Sequence, residues 1–135
     1  MLRFDHLPSD FHPLFLFLGE SEDLTALAGL LRTFAEGRRS LNVGEQLPAA
    51  RSKAKLTIVP EEGSTGNYGL KPDGPGSFRW GLNAWQAEEI ARRIELLAAA
   101  NNKSGSEIIE LGAEDEIPVK ISLGEFTDDF LVRRF

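Results

Sequence analysis

Two stretches of this chain carry apolar residues at helical spacing, and most of what surrounds them alternates in the manner of β-strand. Leu24, Leu27, Ala28, Leu31, Phe34 and Ala35 form one stripe, and Ala87, Ile90, Ala91, Ile94, Leu97 and Ala98 form a second. Ser21 is placed to cap the first helix, with Glu22 and Asp23 suiting the positive end of its dipole and Gly37 as its stop. Asn83 followed by Gln86 makes a capping-box pattern at the start of the second, and Glu88 with Arg92 and Glu89 with Arg93 are i,i+4 pairs on its wet side.

Around these helices, Leu2 and Phe4 alternate with Arg3 and Asp5, while "PLFLFLG" is continuously apolar, as a strand covered on both faces would be. "SLNV", "AKLTIV", "NYGL" and "SFRWGL" are further strands, the last with Phe78, Trp80 and Leu82 on one face and "KPDGPG" turning the chain before it. "EIIEL" and "EIPVKISL" flank the acidic turn "GAEDE" as a hairpin, and Pro118, lacking an N–H, places the second of them, or at least its beginning, near an edge. Strands do not alternate strictly with helices. The order therefore predicts an α+β fold, one domain over residues 1–135, with a largely antiparallel sheet and two amphipathic helices packed on it. No internal repeat or interdomain linker stands out.

A chain of 135 residues that is 41% hydrophobic and 27% charged has enough apolar surface to fold alone. It contains no cysteine, which removes disulfides, thiolate metal sites and cysteine nucleophiles and fits a cytoplasmic protein. The apolar run is far shorter than the ~20 residues of a membrane-spanning helix. A net charge of -6 argues against nucleic acid and anionic membranes as partners. The charge is unevenly spread. Residues 32–55 carry Arg32, Arg38, Arg39, Arg51, Lys53 and Lys55 against Glu36 and Glu45, six against two, a net of +4. Residues 104–135 carry eight acids against Lys120, Arg133 and Arg134, a net of -5.

The glycine-rich segment "GSTGNYGLKPDGPGSFRWG" lacks the Gly-Lys-Ser/Thr ending of a phosphate-binding loop and leads into a strand, so it is expected to turn the chain, not to hold a nucleotide. His6 and His12 with Asp5 and Asp10 have suitable ligand types but no recognised metal spacing, and no metal or other cofactor is expected. The carboxylates Glu125, Asp128 and Asp129, and Glu114, Asp115 and Glu116, are of the right kind for acid–base work, yet no nucleophile or oxyanion motif accompanies them.

"FRWGLNAWQAEEIARRIELLA", "SGSEIIEL" and "VKISLGEF" together resemble small single-domain bacterial proteins of uncharacterised function, some of the kind that accompany toxins as immunity factors. The resemblance implies a compact bacterial α+β protein without cofactor, and it transfers no catalytic residue. Two functions follow from the residues. The first is a non-enzymatic protein-interaction domain, immunity- or inhibitor-like, meeting a basic protein partner through Trp85, Glu114, Asp115, Glu116, Asp128 and Asp129, or forming a homodimer. The alternative is a small-molecule-binding protein or small enzyme, with Tyr68, Lys71 and Arg79 near segment 63–76 holding an anionic ligand.

Overall fold

The computed structural model describes residues 1–8, 13–63, 67–99 and 104–124. Strands β1 (Arg3–Leu7) and β2 (Leu14–Gly19) lead into helix α1 (Ser21–Gly37), followed by β3 (Leu41–Asn42), a short helix α2 (Val43–Gln46) and β4 (Lys55–Pro60). Then come β5 (Gly69–Pro72), β6 (Ser77–Leu82), helix α3 (Ala84–Leu97), β7 (Gly105–Ile109) and β8 (Val119–Leu123). The fold is α+β, with its strands divided between two four-stranded sheets. Sheet A runs β1-β2-β8-β7 and sheet B runs β3-β4-β6-β5. Each has one parallel pair at its centre, β2 with β8 or β4 with β6, flanked by two antiparallel pairs.

This topology is a repeat. Setting the short α2 aside, residues 3–60 and 69–123 are both strand, strand, helix, strand, strand, and each half gives its first hairpin to one sheet and its second to the other. A constant offset of 63 residues relates the inner strands and helices. Phe15 and Phe17 stand opposite Val119 and Ile121, as Phe78 and Trp80 stand opposite Leu56 and Ile58. Leu24, Leu27, Ala28 and Leu31 correspond to Ala87, Ile90, Ala91 and Ile94, all buried. Even the hydrogen bond from Gly124 N–H to the Gly19 carbonyl matches that from Glu61 N–H to the Leu82 carbonyl.

Positions on a two-fold axis touch their own counterparts. Phe17 stacks on Trp80 with ring centroids 6.0 Å apart, Phe15 meets Phe78 edge-on at 5.3 Å, and the Arg32 guanidinium binds the Glu95 carboxylate at 2.5 Å. All three pairs are 63 residues apart. They place the pseudo-two-fold through the aromatic seam between the sheets and through the α1–α3 contact. One hydrophobic core fills that space, joining both inner sheet faces to the buried stripes of both helices.

Two local expectations are corrected. The residue preceding α1 is Glu20, whose N–H donates to the Asp23 carboxylate, and Ser21 lies inside the helix with its hydroxyl donating to the Ala98 carbonyl at 2.5 Å. Strand β8 is an inner strand; Pro118 sits just before it, where a missing N–H costs no ladder bond and its carbonyl accepts from Phe15 N–H at 2.9 Å. Helix α3 starts as expected, with Asn83 and Gln86 capping each other reciprocally.

Candidate functional site

The start of α3 holds the most exposed aromatic side chain among the described residues. Trp85 is 73% exposed, one position off the buried Ala87, Ile90 and Ile94 stripe. Its counterpart in α1, 63 residues earlier, is the exposed Glu22. Packing of this fold thus makes no demand for an aromatic there. Beside Trp85 opens a cavity of about 240 Å³, with Phe34 and Leu82 in its lining and Arg38 and Glu62 at its mouth. Arg38 ends α1 in the left-handed conformation at φ 51°, its N–H bonded to the Phe34 carbonyl, and its guanidinium lies 4.0 Å from the exposed Glu62 carboxylate. A left-handed arginine directly after Gly37 is an uncommon arrangement, and it turns a long cation toward this cavity.

The acidic β7–β8 turn lies at the same end of sheet B. Glu116 reaches Gly69, which pairs with Gly81 near the end of β6; a Cβ on Gly69, whose φ is 96°, would meet the Glu116 carboxyl group at 2.7 Å. Glu116 also accepts N–H bonds from Leu111, Gly112 and Ala113 at 2.8–3.2 Å. Its acceptor capacity is used in holding the turn. Glu114 and Asp115 are exposed, the latter at φ 61°. The turn geometry therefore presents two carboxylates and anchors the third. Asp128 and Asp129 lie outside the described residues.

The alternative set is brought partly together. Lys71 and Arg79 are directly opposed on β5 and β6. Arg79, however, binds Glu61 at 2.8 Å, and Tyr68 donates its hydroxyl to the Gly63 carbonyl at 2.7 Å. These two polar groups close the glycine segment on itself. Gly81 is a place in that segment where only glycine fits: the Asn67 carbonyl approaches so closely that a Cβ has no room.

Among the described residues no group of three or more His, Asp or Glu could hold a metal ion, and no helix is long and apolar enough to cross a membrane. His6 packs on Phe78 at 4.9 Å with its Nε2 buried and without a hydrogen-bond partner. Burial lowers its pKa below the usual histidine value, opposed by the neighbouring Asp5 carboxylate. Sequence reasoning singled out Trp85 because it falls off the apolar stripe. It missed Arg38, Glu62 and Phe34, because the ends of α1 and β4 meet only in the fold. No protein-family model, curated protein or solved structure matches this chain.

Proposed function

We propose that this protein is a non-enzymatic interaction domain of the cytoplasm, acting as an immunity- or inhibitor-like binder of a basic protein partner. Trp85 carries the reading: a large aromatic side chain, 73% exposed, stands beside a small cavity at a position the fold leaves free. Tryptophan is enriched among the residues that anchor interfaces, because it buries much area at little entropic cost. Glu62, Glu114 and Asp115 supply exposed carboxylates at that end of sheet B, suited to steering a basic partner into contact.

The test is quantitative recovery of a salt-sensitive, stoichiometric partner from the protein's own cells by the wild-type, Trp85→Ala and Glu114→Gln/Asp115→Asn proteins. Loss of an anchor costs ~2 kcal/mol or more, so Trp85→Ala is expected to weaken binding about 30-fold. The doubly neutralised turn is expected to slow association and flatten its salt dependence. Equal binding by wild-type and Trp85→Ala sinks the proposal. Recovery of a second copy of the chain alone, with a dimer seen by analytical ultracentrifugation, replaces the partner with self-association.

A further inference from the structure

The sequence concentrates positive charge in residues 32–55, of which Arg38 stands at the Trp85 cavity while Arg51 and Lys53 lie elsewhere. Its end meets the outer edge of sheet A. There β1 is joined by a single bridge instead of a strand: Arg51 N–H donates to the Leu2 carbonyl at 2.9 Å, and Phe4 N–H donates to the Arg51 carbonyl at 3.1 Å. Beyond Arg51 the chain peels away in a turn, fixed by the Ala54 N–H donating to Ser52 Oγ at 2.9 Å. Between that turn and the β1 edge lies an open cavity of about 450 Å³, lined by Arg3, Asp5, Arg51, Ser52 and Lys53 over the Phe4 backbone edge.

We infer that this cavity binds a small organic polyanion, a phosphate ester or a compound with adjacent carboxylates. Its volume lies within the roughly 300–1,000 Å³ of small-ligand sites. Among the described residues its lining holds Arg3, Arg51 and Lys53 against the one carboxylate of Asp5, in a chain whose net charge is -6. Arg51 and Lys53 make no ion pair among the described residues, so their charge is available to a ligand. Asp5 Oδ1 accepts the His6 backbone N–H at 2.9 Å, and the same carboxylate lines the cavity as an acceptor for a ligand hydroxyl or amine. The corresponding place in the other half is closed. Gly69 matches Arg3 by register, pairing with Gly81 as Arg3 pairs with Leu18, and Glu116 lies over it. Of these two corresponding places the open, cationic one is where the anchoring bridge hands the chain to a turn of Arg, Ser and Lys.

The experiment is isothermal calorimetry and thermal unfolding of the full chain with pyrophosphate and, separately, citrate, against sodium chloride at matched ionic strength. The expected result is 1:1 binding of at least one of the two with a rise in melting temperature, weakened about tenfold or more in Arg51→Gln/Lys53→Gln, which removes two charge-assisted contacts. Asp5→Asn is expected to tighten binding by removing the opposing charge. Pyrophosphate alone binding identifies a phosphate ester, citrate alone a carboxylate ligand. No binding of either anion, or undiminished binding by the folded Arg51→Gln/Lys53→Gln protein, overturns the inference. Trp85→Ala leaves anion binding intact, which keeps this result separate from the partner test.

Discussion

The two sheets present nearly interchangeable inner faces and opposite outer ones. Inside, Phe15 and Phe17 match Phe78 and Trp80, and all four are buried in the shared core. Outside, Leu16 on β2 corresponds to Arg79 on β6, 63 residues on. Leu16 is fully buried in a second apolar cluster with Leu7, Leu14 and Leu18, whereas Arg79 is 29% exposed and binds Glu61. One topology thus serves a sheet covered on both faces and a sheet open on one. The repeated inner pattern specifies the architecture, and the unrepeated outer residues decide which surface meets solvent.

Exchanging the two outer residues is the most severe test of this comparison. Leu16→Arg places an uncompensated charge in a fully buried site and is expected to cost more than ~4 kcal/mol, seen as loss of the cooperative thermal transition. Arg79→Leu removes one partly exposed ion pair and should cost about 1 kcal/mol in a denaturant titration. Comparable losses from both would mean that the outer faces are alike.

A smaller effect separates the halves by pH. His6, opposite Phe15, corresponds by register to Pro72, opposite Phe78, so only the first half carries a half-buried imidazole there, with its Nε2 buried. Its folded pKa is depressed below 6.5, so just below that pH the unfolded chain binds more protons than the folded one. Stability at this site is therefore full above pH 6.5 and falls as the pH drops toward the folded pKa. Denaturation curves for wild-type and His6→Gln should diverge in slope across that window and run parallel above it; parallel curves throughout would remove the histidine from the account.

The smallest effect lies on the pseudo-two-fold itself. Arg32 and Glu95 each hold the other in its charged form, yet both are about 40% exposed. Arg32→Glu should destabilise only slightly, and adding Glu95→Arg should restore the loss, more completely at low salt. No recovery in the double variant would show that the two counterparts do not act as a pair.

Much of the architecture was legible in the sequence, because both helix stripes and the inner strand alternation are direct consequences of burial. "PLFLFLG" foretold a strand covered on both faces, and residues 14–19 are that strand. The division into two sheets was not legible, since nothing in "VKISL" states that it pairs with "FLFLG" more than a hundred residues earlier. The repeat escaped for a related reason. Phe17 against Trp80, or Leu24 against Ala87, preserves burial and not identity, and the outer residues differ in chemistry altogether. Trp85 was legible as an off-stripe aromatic; Arg38, Glu62 and the Arg51–Lys53 turn needed the fold to bring chain ends together.

The pairing of β2 with β8 has a consequence in time. Phe15 is joined to Val119, and the intervening 103 residues must be made before that side of β2 finds its partner. The parallel joint at the centre of sheet A is accordingly the last to close. Contacts of such long separation slow folding and leave apolar strand edges open to wrong neighbours in the interval. The most apolar of the described strands is thus made early and completed late.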